Sequence, residues 1–335
     1  MSVLFCADER FREHDTGPGH PERPARIDAA REGVIAHGLA ELLVPFSPRE
    51  ATEEELLRVH EPAHVRRVER FCELGGGHLD ADTVVGYRSA ELARLAAGGA
   101  LEAIELLRGG TASGAFIAAR PPGHHATADR AMGFCLYNHV AVVAATLAGR
   151  GERVAVVDFD AHHGNGTQDV FYERGDVLYV SWHQSPHYPY TGHLSETGSG
   201  AGLGTTMNIP LPPGATGDHY RRSLEHLVAP LLAEHAVEWL VLSAGFDAHR
   251  ADPLCDLALT SGDIGEIVAV LVDIVGPGRT LAVLEGGYDL EAIADCAAAT
   301  VAALGGVPLH PEAPSSGGPG ARFVDAAIEA RARLG

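Results

Sequence analysis

Short apolar runs without polar alternation recur along this chain and constrain its fold more than any other feature. They fall at Val3 to Phe5, Ala115 to Ala118, Val154 to Val157, Val177 to Val180, Trp239 to Leu242 and Leu281 to Leu284. A strand with one face in water alternates apolar and polar residues, whereas a strand buried on both faces does not. These runs therefore predict parallel strands covered on both sides. Helical patterns separate them at Pro24 to His37, Ser89 to Arg108, Asn138 to Ala148, Asp218 to Glu234, Gly262 to Val275 and Asp289 to Leu304. The alternation predicts an α/β sandwich around a mainly parallel sheet.

With 335 residues, 46% of them hydrophobic, the chain is long enough for one large core. One domain is expected over residues 1–308. The stretch LHPEAPSSGGPG, Leu309 to Gly320, then reads as a flexible joint, and Phe323 to Leu334 as a short tail helix. No apolar run approaches the roughly 20 residues of a membrane helix. The first residues, MSVLFCADERFREHD, show no basic leader and no small-residue cleavage site. A cytoplasmic protein without membrane contact is expected. The five cysteines, Cys6, Cys72, Cys135, Cys255 and Cys296, never form C-x-x-C, so free buried thiols are expected rather than disulfides or a zinc ribbon. The formal net charge of -20 repels phosphate backbones and attracts cations, which disfavours nucleic acid as a partner and suits a cationic amine.

In open parallel sheets ligands bind beyond the carboxyl ends of strands, so the residues after each apolar run matter most. Val154 to Val157 leads into Asp158, Asp160, His162 and His163; Trp239 to Leu242 leads to Asp247; Leu281 to Leu284 leads through two glycines to Tyr288; Ala115 to Ala119 leads to His124 and His125. Asp160 and His162, two apart in an extended segment, share one face, and Asp247 completes a set able to grip one ion. Two carboxylates and one imidazole leave an open coordination position, as a catalytic metal requires. Zinc is the default, and iron(II) tolerates the same ligands. Of the paired histidines, with Asp158 and Asn165 as partners, one ring is suited to take a proton from the activated water and pass it to the leaving amine. Tyr288 is placed to donate its hydroxyl to a tetrahedral oxyanion. Any one of the 19 histidines says little alone, whereas these strand ends carry complementary parts of amide hydrolysis. The glycine-rich Gly198 to Gly204 lacks a clear preceding strand and following helix, so it is not read as a dinucleotide-binding turn.

Six motifs resemble the histone deacetylase superfamily, which includes acetylpolyamine amidohydrolases. They are HPERPARI (His20 to Ile27), RPPGHHA (Arg120 to Ala126), GFCLYN (Gly133 to Asn138), VDFDAHHGNGTQ (Val157 to Gln168), SAGFDAHRADPL (Ser243 to Leu254) and LEGGYDL (Leu284 to Leu290). The resemblance implies a three-layer arginase/deacetylase fold with one zinc per chain on Asp160, His162 and Asp247. It implies His125 as general base and acid, His124 as electrostatic helper and Tyr288 as polariser of the scissile carbonyl. Phe134 and Tyr188 would line a narrow tunnel bordered by Gly133, Asp82 would hold substrate at the rim, and Gly287 and Leu254 join the substrate-binding residues. A potassium site would use Asp158, Asp160, His162, Ser181 and Trp182, mostly through carbonyl oxygens. Asn165 stands where one branch of the family has Asp, which leans toward the class II group and its bacterial relatives. Leu254 stands where some polyamine-selective relatives have an acid.

The implied substrate is an acetylated amine, either acetyl-lysine in a protein or an acetylpolyamine. Two other readings compete. A binuclear manganese ureohydrolase would need further carboxylates where Gly164 and His249 stand, and a non-catalytic acyl-lysine binding module would not need a proton shuttle beside a metal.

Overall fold

The protein is described here as a computed structural model covering residues 1–333. Its strands are β1 (Val3–Cys6), β2 (Leu43–Pro45), β3 (Gly77–His78), β4 (Val84–Val85), β5 (Gly114–Ile117), β6 (Val154–Asp158), β7 (Val177–Gln184), β8 (Thr206–Leu211), β9 (Trp239–Ala244) and β10 (Thr280–Leu284). Its helices are α1 (Ala25–Ala36), α2 (Glu53–Leu56), α3 (Pro62–Glu73), α4 (Ser89–Arg108), α5 (His139–Ala148), α6 (Asn165–Phe171), α7 (Gly217–Ser223), α8 (Ala229–Glu234), α9 (Ser261–Val275), α10 (Leu290–Leu304) and α11 (Ala321–Ala332). Eight strands form one sheet in the order β2-β1-β5-β10-β9-β6-β7-β8, and every neighbouring pair is parallel. Helices α4 and α5 pack together on one side, and α1, α9 and α10 on the other. The result is the expected three-layer α/β/α sandwich. No described helix is long and apolar enough to cross a membrane.

The apolar runs form strands because each is covered on both faces, and β1, β5, β6, β9 and β10 are buried along their whole length. The two sheet edges escaped the sequence reading. Both β2 and β8 carry a proline, Pro45 and Pro210, which an edge strand tolerates because one row of its backbone groups goes unpaired. The expected helix from Asp218 to Glu234 is divided into α7 and α8 by a π-helical turn over Leu224–Val228. Pro230 at the start of α8 lacks the N–H that a continuous ladder would need there. The glycine-rich segment makes a single 3-10 turn at Gly200–Gly202 ahead of β8.

The stretch from Leu309 to Gly320, read from sequence as a flexible joint, is tied to the body. Glu312 accepts from His249 Nε2 at 2.7 Å and from the Ser261 amide at 3.0 Å. Ser315 Oγ donates to Asp263 Oδ2 at 2.6 Å. Helix α11 then buries Val324 and Ala327. Leu334, the last residue of the expected tail helix, lies outside the described residues. All five cysteines are free and buried.

A buried charge network joins the N-terminal segment to the strand ends. Arg120, after β5, donates to Glu22 through Nε at 2.5 Å and Nη2 at 2.8 Å, and Arg26 Nη1 adds a third bond at 3.0 Å. All three side chains are fully buried. Burial by itself would raise the Glu22 carboxyl, but the Arg120 charge, with the adjacent His14 ring and the Arg26 charge, holds it down at about 2. Replacing Glu22 with Gln leaves two buried guanidinium groups without a counter-charge. Glu22→Gln is expected to destabilise the fold by about 3–5 kcal/mol, read from the urea unfolding midpoint; a shift under about 1 kcal/mol would refute the account.

Several buried histidines are held neutral. The Asn138 amide donates to His60 Nε2 at 2.9 Å, and His60 Nδ1 donates to the Thr127 carbonyl at 2.9 Å, so both nitrogens are occupied in the neutral tautomer. Burial lowers His14 to about 4, His60 to about 3 and His139 to about 4. Below pH 6.5 the unfolded chain takes up protons on these rings while the folded chain does not. Their destabilisation therefore begins near pH 6.5 and grows down to about pH 4, at about 1.4 kcal/mol per pH unit for each ring. Buried Glu285 and Asp252, raised to about 7, act in the opposite direction over the same range. The histidine effect is therefore isolated by comparing the wild type with His60→Gln, whose thermal midpoint should fall less from pH 7 to pH 5; an unchanged pH slope would contradict this assignment.

Candidate active site

In the sheet order, β5, β10, β9 and β6 are neighbours, and the chemistry read from the sequence sits beyond their carboxyl ends. Asp158 closes β6, and the chain turns there because Asp158 Oδ1 accepts from the Asp160 amide at 3.1 Å and Asp160 Oδ1 from the His162 amide at 2.9 Å. Beyond β9, Asp247 Oδ1 accepts from the Ala161 amide at 2.7 Å. After β10, the Gly286 amide donates to Asp160 Oδ2 at 2.7 Å. These bonds fix the carboxylates, leaving oxygens to converge with an imidazole. His162 Nδ1 stands 3.2 Å from Asp160 Oδ1 and 2.9 Å from Asp247 Oδ2. One donor atom from each of Asp160, His162 and Asp247 lies within 4.8 Å of the others.

The electrostatics of this set suit a cation. Burial and the nearby Asp160 charge raise Asp247 above the usual carboxylate range. Burial opposes charge on His162, yet Asp247 and Asp160 raise its pKa well above that of a free imidazole. Among the described residues no arginine pairs with Asp160 or Asp247, whose ion-pair partners are His162 and His124. Two buried carboxylates and an imidazole with both nitrogens in use form a donor set that a divalent cation satisfies. Gly286 makes room for it. A Cβ there would fall 2.6 Å from Asp160 Oδ2 and closer still to Asp247 Oδ2.

The histidine pair lies beside this set, rings 4.0 Å apart. His124 Nδ1 contacts Asp158 Oδ2 at 3.0 Å, and His125 Nδ1 contacts Asn165 Oδ1 at 2.8 Å. Burial disfavours charge on His124, but Asp160 and Asp158 push it up to about 10. His125 goes the other way: burial and then the His124 charge lower it well below the ordinary value. Adjacent rings are thereby driven to opposite protonation states. Their loop is anchored by Glu285, whose Oε2 accepts from the Gly123 amide at 2.6 Å and the His124 amide at 3.1 Å.

Tyr288 directly precedes Asp289, the N-cap of α10, which accepts from the Ala292 amide at 2.8 Å. Its own amide donates to Asp252 Oδ2 at 2.8 Å. The ring is crossed by Phe134 at 6.0 Å and lies under the Arg26 guanidinium at 5.2 Å. Burial and the Asp247 charge keep the phenol protonated.

A cavity of about 240 Å³ leads to these groups, lined by Asp82, His125, Gly133, Phe134, His162, His187, Tyr188, Leu254 and Tyr288. Gly133, with φ 55°, borders it, and a Cβ there would press on the His125 ring, 2.8 Å from Cγ. Gly287 lies outside this lining, and its carbonyl accepts from Arg26 Nε at 2.6 Å. Ser181 pairs in register with Asp158 across β7 and β6. Its hydroxyl faces His183 Nδ1 at 3.0 Å, and Trp182 Nε1 donates to Ser223 Oγ at 2.7 Å, so the side chains of both are engaged away from the metal donors.

Residues 20–304 match the family described as Histone deacetylase domain. The chain belongs to the histone deacetylase family. It is 39% identical over 289 residues to a "Probable deacetylase" of Archaeoglobus fulgidus, covering 84% of this chain and 80% of that one. It is 38% identical over 304 residues to the human "Polyamine deacetylase HDAC10", covering 87% of this chain and 45% of that one. The solved structure titled "Crystal Structure of HDA15 HD domain" superposes with a TM-score of 0.91 at 34% identity, covering 99% of this chain and 94% of that one.

Within this deacetylase-family site, sequence reasoning missed His187, Cys255, Asp252 and Glu285. His187 was hidden in a rim loop without regular pattern. Asp252 and Glu285 lay inside quoted motifs, and only the fold shows that they hold the Tyr288 and His124 backbones. Gly286 provides a test. Gly286→Ala is expected to spread the carboxylates and weaken divalent-cation retention roughly 10–100-fold, measured as metal content after dialysis against graded chelator. Unchanged retention would show that the two carboxylates need no such clearance.

Proposed function

We propose that the chain is a zinc-dependent amidohydrolase that removes an acetyl or similar acyl group from an amine of the acetyl-lysine or acetylpolyamine type. The observation that carries this reading is the convergence of Asp160, His162 and Asp247 at a cavity that His125 and Tyr288 also line. Three protein donors leave a coordination position open. A bound zinc ion supplies Lewis acidity to the amide carbonyl and to the attacking water.

The remaining steps belong to this chain's side chains. Asn165 Oδ1 can only accept, so His125 donates from Nδ1 and leaves Nε2 unprotonated. That nitrogen takes the proton of the attacking water and returns it to the departing amine. His124, charged through Asp158, keeps a positive charge beside the base. Tyr288, held protonated, donates to the developing oxyanion. Phe134 and Tyr188 flank the acyl-amine stem, while Asp82 and Leu254 meet the rest of the substrate at the rim. A structural potassium ion is further proposed at Asp158, Asp160, His162, Ser181 and Trp182, mostly through carbonyl oxygens.

The packing supports one metal over a bridged manganese pair. A carboxylate at position 164 would have no room, because a Cβ on Gly164 would already crowd Asp158 Oδ2 and sit 2.6 Å from Tyr179 Oη. His249 is turned away to Glu312. A binding module would have no use for neighbouring histidines driven to opposite charge states.

Tyr288→Phe is expected to lower kcat about 10²–10³-fold, and His125→Ala to abolish turnover, with zinc still bound in both. The assay compares acetyl-lysine peptides with N-acetylated putrescine, cadaverine and spermidine. A zinc-loaded wild type inert toward all of these and toward longer acyl groups would favour the binding module.

A further inference from the structure

On the side of His162 that faces away from Asp160 and Asp247 lies a second group of donors. His162 Nε2 meets Cys255 Sγ at 3.5 Å. His187 packs against the same ring at 4.9 Å between centroids, and its Nδ1 is buried without a hydrogen-bond partner. One ligand atom from each of His162, His187 and Cys255 lies within 4.8 Å of the other two. In a tetrahedral site with bonds of about 2.1 Å to nitrogen and 2.3 Å to sulfur, donor atoms stand roughly 3.5 Å apart. The Nε2 to Sγ separation already has that value. His162, His187 and Leu254, the neighbour of Cys255, line the cavity, so a small ion has a path to the group through the substrate tunnel.

We propose that His187, Cys255 and the outer nitrogen of His162 form a second, inhibitory site for a soft divalent cation such as cadmium or excess zinc. The inference rests on reading His162 as a ligand of the catalytic ion. Binding forms one metal–sulfur and two metal–nitrogen bonds. The Cys255 thiol proton and the His162 Nε2 proton go to solvent, His187 binds as the neutral ring, and nothing is oxidised or reduced. The His162 ring then bridges two ions. A thiolate beside two imidazoles selects soft ions over magnesium or calcium. An ion held there occupies the tunnel beside the base His125, whose ring is 6.0 Å from His162, and shuts out the acyl group.

The probe is Cd²⁺ added to enzyme that holds one zinc per chain. The readouts are the ultraviolet charge-transfer band of a cadmium thiolate and elemental analysis after desalting, with deacylation followed in parallel. Expected are one added cadmium per chain, zinc retained, a band that saturates at one equivalent and a matching loss of turnover. Cys255→Ser, nearly isosteric, should remove the band and weaken cadmium binding at least about tenfold, and His187→Phe should weaken it by a similar factor. A band that survives in Cys255→Ser, or cadmium uptake matched by equal zinc loss, would overturn the proposal. Failure to hold zinc or to hydrolyse any acyl amine would instead defeat the reading of the catalytic site, because the band and its dependence on Cys255 are read without turnover.

Discussion

The ion-pair node of Glu22 with Arg26 and Arg120 is the constraint on which the site's geometry depends. Arg26 reaches beyond Glu22 to the carbonyl of Gly287 at 2.6 Å and to that of Glu285, while Arg120 also donates to the Phe11 carbonyl at 3.2 Å. One carboxylate thus ties the N-terminal segment to the ends of β5 and β10, the two strands that deliver the histidine pair and Tyr288. A buried carboxylate with two guanidinium partners contributes little net stability, since desolvation offsets much of the attraction. What it supplies is position: each planar guanidinium spends its remaining donors on loop carbonyls that would otherwise be buried without partners.

The same logic runs through the metal donors. Asp158, Asp160 and Asp247 are fully buried, and together they would be costly without compensation. Backbone amides from Asp160, Ala161, His162 and Gly286 supply part of it. His124 supplies one positive charge, and the rest is charge that a divalent cation at this donor set would neutralise. The amides come from strand-end turns whose conformation is set by the sheet, so the fold itself organises the donors. Preorganised dipoles of this kind need no rearrangement during reaction. They also explain why the motif glycines sit next to the carboxylates: side chains there would occupy the space that the donors share.

The layered fold and the centre of the site were legible in the sequence because both arise from local rules. Strands covered on both faces leave apolar runs, and strand ends in a parallel sheet face the ligand, so Asp160, His162, Asp247, His124, His125 and Tyr288 could be found from where the runs stop. Edge strands β2 and β8 obey weaker rules: β2 is short and only partly buried, and β8, though buried except at Pro210, mixes Thr206 and Asn208 with its apolar residues instead of forming an apolar run. Helix α3 hides Val65, Val68 and Cys72 on one face, a period that was present but diluted by charged neighbours. The partnerships of Glu22 and Glu285 were not legible at all. Glu22 meets Arg120 across 98 residues, and Glu285 meets the Gly123 amide across 162, and nothing in a single sequence marks such pairings. The segment from Leu309 to Gly320 shows the converse error, because Pro, Gly and Ser suggested mobility while Glu312 and Ser315 hold it to α9.

The sequence contains no lysine, so all 25 Lys-plus-Arg residues are arginine. Arginine's fork of donors suits the buried node around Glu22, but most of these residues are on the surface, where lysine would pair with carboxylates equally well. The consequence is that the chain's own surface offers no lysine amine. With a formal net charge of -20 and Asp82 lining the cavity, the field favours cations over anions. Leu254, 40% exposed, adds apolar surface to the same lining, so the cavity offers a charge and an apolar face together.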